Sequence, residues 1–404
     1  MYKWLIGLMA VTTALVAEET PQITMLCSKN VARQKKSSKG QNTDQEAPYI
    51  VQADQGVIAY GEFLYWAAHE DGLEYAATTD ILSAQGKSKS TGGFQEKTHI
   101  RDVHADYRPG ARVGLGYLFS HKMDGWDILA NWTGYTGKAD GHASANGTTA
   151  AFVSPLWGNL FFASVLSTNF GYNKAIAHWH LDYNVVNLEL GRNTLLGRKV
   201  TIRPYVGAEW AVINQHYRVK YKAPGGPEDT IQGFPQTLPF TSKFRAQNDF
   251  NGVGLRAGAD AKWHITRHFG VCGEISGAFL WGRTHINEKF TIPSITTIST
   301  NPVFTTVSDP SKIREKSHLS KFRPNLQGAA GLFWNCPVQK DKGFITLAAE
   351  YEFTAWFFQN NLYVNSLIAG QNSGRVATGG FVQADSKNGL LSLQGLTFSL
   401  RYEF

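Results

Sequence analysis

At 404 residues the chain has room for two or three ordinary domains or for one large β structure. Glycine numbers 40, aromatics make up 13% and charged side chains only 18%, below the roughly 25% usual in soluble domains. The mean hydropathy is nonetheless slightly negative, which excludes a bundle of membrane helices, and the net charge of +7 is dispersed rather than gathered into a nucleic-acid-binding face.

The N-terminus predicts a secretory signal over residues 1–17. Lys3 supplies the positive start, Trp4 to Val16 the apolar run and Ala17 the small residue at the cut. That run is too short to cross a hydrocarbon core of roughly 30 Å as a helix. Residues 18–50 are polar and without periodicity, and read as an extended periplasmic segment. Arg33, Lys35, Lys36 and Lys39 cluster there, diluted by Asp44 and Glu46; a second cluster is Lys312, Arg314 and Lys316. Both read as solvated tail or loop, and in an exported chain the sharper readings are contact with anionic lipid headgroups or a modest preference for anions.

From residue 51 to the end the hydrophobic period is two, which predicts an all-β, antiparallel transmembrane barrel of about ten strands. In chain order, weaker strands fall at about 57–68, 107–119 and 125–137. Residues 175–192 alternate clearly: Trp179, Leu181, Tyr183 and Val185 form one row and His178, His180, Asp182 and Asn184 the other. The apolar row is assigned to lipid and the polar row to the lumen. The same alternation predicts strands at 200–212, 253–262, 269–281, 345–357 and 396–404, with a further weaker strand at about 321–336. No charged residue is found in an apolar row, as expected where an Arg or Lys facing lipid costs roughly 2–4 kcal/mol.

Short connections near 120–124, 191–198, 264–267 and 337–343 alternate with long ones near 69–106, 138–174, 222–246, 284–320 and 359–391. Short periplasmic turns and long extracellular loops follow. Leu73–Ala77 and Leu160–Leu166 are apolar enough to add strand pairs, so 12–14 strands stay open. Trp126, Trp179, Trp263, Trp281 and Trp334 lie towards strand ends, which predicts two aromatic girdles. Cys27, Cys272 and Cys336 are too few for a disulfide framework; free thiols are expected, with interchain pairing through Cys27 as the alternative.

With these rows in place, the chain resembles the Legionella-type and environmental-chlamydial major outer membrane protein-like family of pore-forming barrels. The resemblance rests on Gly61–Ala76 (GEFLYWAAHEDGLEYA), Arg108–Tyr117 (RPGARVGLGY), Gly125–Trp132 (GWDILANW), Trp179–Arg192 (WHLDYNVVNLELGR) and Thr201–Tyr221 (TIRPYVGAEWAVINQHYRVKY). The terminal SLRYEF, with Tyr402 and Phe404, is similar to the signal by which barrel-assembly machinery recognises its clients. The resemblance implies a porin-like protein of a bacterial outer membrane, its partners the surrounding lipids, periplasmic chaperones, the assembly machinery and small solutes or ions.

The lumen is where chemistry is expected. Its candidate residues are Arg108, Arg112, His178, His180, Asp182, Arg203, Glu209, Arg256, Asp260, Lys262, Glu274, Arg323, Glu350, Glu352 and Arg401, joined by Glu62, Asp127 and Glu403. Mixed charge of this kind lines wet channels, but in a narrow barrel the same side chains can fill the interior and lock the wall. His178-x-His180-x-Asp182 is one strand face with metal-ligand chemistry, yet a His-x-His pair alone does not assign a metal. No GxSxG or HExxH signature points to an enzyme, and His99, His104 and His216 find no partner by spacing. The expectation is passive diffusion of small hydrophilic solutes or ions, without cofactor, metal site or nucleic acid. An adhesin or structural envelope barrel is the alternative, an outer-membrane hydrolase a more distant one, and homo-oligomerisation stays open.

Overall fold

In the computed structural model the residues described are 55–82, 95–119, 125–145, 151–157, 172–224, 236–294, 296–300, 303–307, 310–338, 343–372 and 375–404. The expected signal and the segment 18–50 lie outside them, as does Leu160–Leu166.

Ten strands form the wall: β1 (Gly56–Glu70), β2 (Arg108–Leu118), β3 (Trp126–Ser144), β4 (Lys174–Arg192), β5 (Val200–Ala223), β6 (Phe240–His264), β7 (Phe269–Ile292), β8 (Ser311–Val338), β9 (Gly343–Asn360) and β10 (Gly389–Glu403). Each pairs antiparallel with its neighbours in sequence, and β10 returns to β1 to close the barrel. The closure leaves no sheet edge to be satisfied by another chain. Its last pair is Phe404, whose N–H donates to the Val57 carbonyl at 3.0 Å and whose carbonyl accepts from Val57 N–H at 2.7 Å.

All ten expected strands are present, but several run much further than their alternation suggested. Strands β5 to β8 are 24, 25, 24 and 28 residues long, against the roughly 9–11 that cross a bilayer when tilted. Much of what read as long loop is therefore barrel wall standing clear of the lipid. The reason is that these outer halves exchange their apolar exterior for a polar one, so the greasy row that marked the strand stops while the pairing continues.

The exterior records that exchange. On β6 the outward row is Trp263, Ala261, Ala259, Ala257, Leu255 and Val253, then Asn251, Asp249, Gln247, Arg245 and Lys243. The apolar stretch spans roughly 25 Å of height, the band a barrel presents to hydrocarbon. Directly paired positions Trp132, Val186, Trp210, Val253, Trp281 and Phe322 close its upper border across β3 to β8. Trp126, Trp263, Phe269 and Phe404 mark the lower border, at the short-turn rim. The girdle expectation thus holds for Trp126, Trp263 and Trp281, and Trp334 also belongs to the outward row of β8. Trp179 is an exception: it is 2% exposed and points inward.

At the long-loop rim, Ala76–Leu82 pairs with both Gln95–Arg101 and Ala151–Pro155, so part of the Leu73–Ala77 expectation becomes a small separate sheet rather than wall. A hairpin of Tyr363–Asn372 and Arg375–Ser386 joins β9 to β10 at the same rim. The β9–β10 register slips at a bulge between Trp356 and Asn360, where Phe358 takes a left-handed φ of 58°. The two extra residues on β9 turn the buried Gln359 and Asn360 into the mouth.

Candidate functional site

Two layers fill the lumen. The lower one, at lipid height, is polar and centred on three arginines. Arg203 of β5 donates to Asp127 of β3 (Nη2–Oδ1 2.7 Å), Glu189 of β4 (3.1 Å) and Asp260 of β6 (3.0 Å). Arg256 of β6 donates to Glu209 (2.9 Å), Glu274 (2.9 Å), Gln327 (3.0 Å) and the Tyr205 hydroxyl (3.3 Å). Arg112 of β2 donates to Glu62 (2.6 Å), Glu352 (2.8 Å) and Thr133 (2.9 Å). Asn325 of β8 donates to Glu209, three strands away. Room for the guanidinium of Arg203 comes from Gly191, where a Cβ would lie 2.6 Å from Nε.

Every arginine in this layer is shared between strands, so the charges tie the wall together across the interior. A charge at this depth is affordable only when paired and hydrogen-bonded. A cavity of about 140 Å³ remains among Arg112, Glu189, Lys262, Glu274, Glu350 and their neighbours. Below it, Lys262, His264, Arg401 and Glu403 line a vestibule of about 70 Å³ at the short-turn rim.

The upper layer is apolar and aromatic. Leu64, Trp66, Leu181, Ile213, Phe250, Leu280, Trp356, Leu391 and Leu393 are all at most 2% exposed. Trp356 Nε1 donates to the Tyr183 hydroxyl at 3.3 Å, although β9 and β4 are five strands apart on opposite walls. Trp66 Nε1 reaches Thr397 at 3.1 Å, and Tyr135 donates to the Trp66 carbonyl at 2.8 Å. Higher still, the turn after β1 folds into the mouth, where Tyr217 and Tyr221 each donate at 2.7 Å to the carbonyls of Leu73 and Tyr75. Asp102, in the segment before β2, is half buried there; desolvation holds its carboxyl above the ordinary range despite a hydrogen bond from Val103 N–H.

Most sequence-derived candidates face the lumen: Arg108, Arg112, Arg203, Glu209, Arg256, Asp260, Lys262, Glu274, Arg323, Glu350, Glu352 and Arg401. Arg323 sits apart from the rest, in the upper layer over the Phe250 ring at 4.9 Å, donating to Thr284 at 2.6 Å.

Three candidates are corrected. His178, His180 and Asp182 lie on the outer wall above the lipid band, where their row continues as the exposed Val186, Leu188 and Leu190. Their former lipid-facing partners, Trp179, Leu181, Tyr183 and Val185, are packed inside. Along β4 both faces change character near Asn184, because the strand leaves the membrane there. Above that point water wets the outside and the packed interior takes the apolar side chains. Alternation reveals two faces but not which one is in. One residue carried the signal: Glu189 shares a row with Trp179–Val185, and no lipid-facing row would hold it. Glu189 is the buried carboxylate the sequence reading missed.

On the outer wall His178 Nδ1 lies 2.5 Å from Asp140 and His180 Nε2 lies 3.3 Å from Asp182. Among the described residues no hydroxyl or thiol is hydrogen-bonded to either ring, and no group of three His, Cys, Asp or Glu is placed to hold a metal ion. Cys272 is a buried free thiol donating to Glu350 at 2.8 Å. Cys336, expected free, is instead disulfide-bonded.

The family model described as Legionella pneumophila major outer membrane protein precursor matches residues 59–404. No curated protein matches the chain. Among solved structures, the Escherichia coli outer membrane protease OmpT is similar at 10% identity and a TM-score of 0.33, covering 86% of this chain and 97% of its own. A deletion mutant of the TodX monoaromatic hydrocarbon channel is similar at 8% identity and a TM-score of 0.21, covering 89% and 92%. Likeness at that level transfers no activity. The family match, spanning the whole barrel, is of another order: this chain is an outer-membrane β-barrel that belongs to the Legionella major outer membrane protein family.

Proposed function

We propose that the protein is a structural, surface-presenting barrel of the outer membrane with little conductance at rest. The observation that supports this most directly is the contact of Trp356 with Tyr183 across the full diameter, inside a layer of side chains that exclude water. An ion crossing such a layer would shed most of its hydration shell, for which the few buried polar side chains there, Arg323 among them, are a poor replacement. The three arginines of the charged layer beneath are each held by carboxylates of neighbouring strands. The long-loop rim carries additional strands above the wall, which suits presentation to the outside.

Passive diffusion of solutes is the second reading, and the charged lower layer favours it. It requires the upper layer to part, so transport would be gated. Planar-bilayer recording separates the two. The wild-type barrel is expected to be silent or to open rarely, and Trp356→Ala with Tyr183→Ala to raise conductance. Standing ohmic steps from the wild type, unchanged in the double variant, would overturn the closed-barrel reading and favour a porin.

A further inference from the structure

On the outer wall above the lipid band, four cations stand directly opposite one another on adjacent strands. Arg218 of β5 pairs with Arg245 of β6, Arg245 with Lys289 of β7, and Lys289 with Arg314 of β8. Like charges directly opposite in a sheet are destabilising, and among the described residues none of these four has a carboxylate partner. With Lys316 and His216 they line a groove of about 360 Å³. A wall built in this way lacks its counter-anion.

The position of the groove identifies that anion. Each of the four cations lies eight residues beyond the aromatic border at Trp210, Val253, Trp281 and Phe322, which is roughly 20 Å along a tilted wall. On β7 the outward row runs without interruption from lipid-contacting Trp281 through Arg283, His285 and Asn287 to Lys289. The groove opens sideways, along the membrane, towards whatever surrounds the barrel. We propose that it binds the phosphorylated saccharide headgroup of an outer-leaflet glycolipid, with the arginines holding phosphate oxygens in forked contacts. The ligand relieves the repulsion between strands and staples β5 to β8 together. This assignment depends on the membrane placement of the barrel and is independent of its conductance.

The test uses the detergent-solubilised barrel, with a rough-type lipooligosaccharide carrying core phosphates as the probe. The same glycolipid after dephosphorylation, and heparin, are the comparison ligands. Replacing all four cations (Arg218→Gln, Arg245→Gln, Lys289→Gln, Arg314→Gln) is expected to weaken binding by roughly fivefold per cation, with Arg198→Gln and Arg267→Gln on the short turns without effect. A second variant, Arg245→Glu with Lys289→Glu, places acids between arginines. It is expected to match or exceed the wild-type Tm without ligand, yet to lose the ligand-induced rise in Tm. The proposal is overturned if the fourfold variant binds within twofold of wild type, if dephosphorylation leaves affinity unchanged, or if heparin binds and the glycolipid does not. If the fourfold variant does not fold, the acidic variant decides by the same affinity criterion.

Discussion

Arg256 shows how much a single lumen residue can carry. It touches Glu209, Glu274, Gln327 and Tyr205, and its Nε lies 3.5 Å from Glu189. Arg256→Met removes the cation and leaves its carboxylates buried beside one another. Loss of one partner from a buried ion group typically costs about 3–5 kcal/mol. Unfolding of the variant in detergent is expected to show a loss of that order, and a change below about 1 kcal/mol would mean the network is redundant. That Arg256 faces inward was legible from its strand alone. Its partners were not, because they come from four other strands, and which side chains meet across them is set by register and by the curvature of the wall.

At the scale of a strand, the outward row of β7 changes meaning within two residues, from Trp281 in lipid to Arg283 in water. Ile275 is 63% exposed and lies near the middle of the lipid band, opposite Ala259. Ile275→Arg is therefore expected to cost roughly 2–4 kcal/mol in unfolding experiments carried out in lipid. His285→Arg, four residues above the border and directly opposite Asp249, is expected to cost almost nothing by the same measurement. Equal penalties at the two positions would place the membrane border elsewhere. On β7 the sequence reading had the facing right, since Phe279 and Trp281 are both apolar and outward. On β4 it failed, because the conspicuous apolar row belonged to the part of the strand beyond the membrane, where the rule for facing reverses.

The whole molecule depends on the closure between β1 and β10, made by thirteen directly paired positions from Ile58–Glu403 to Glu70–Leu391. Phe404 completes it with backbone hydrogen bonds, while its ring is 52% exposed and stacks on Tyr402 at 5.1 Å. If the terminal aromatic serves recognition during assembly, Phe404→Ala should lower the amount of folded barrel recovered from outer membranes. The barrel that does fold should unfold within about 1 kcal/mol of wild type, since little buried surface is lost. Normal recovery of folded protein would remove the recognition role.

The strand count, the antiparallel order and, on every strand but β4, which row faces lipid followed from the sequence alone, because hydrocarbon imposes a local rule on every second residue. The contents of the lumen did not follow. Whether Trp356 meets Tyr183, whether Arg218, Arg245, Lys289 and Arg314 fall on one line, and where the wall leaves the membrane depend on register and closure. Those are relations between strands far apart in the chain, and no local pattern encodes them.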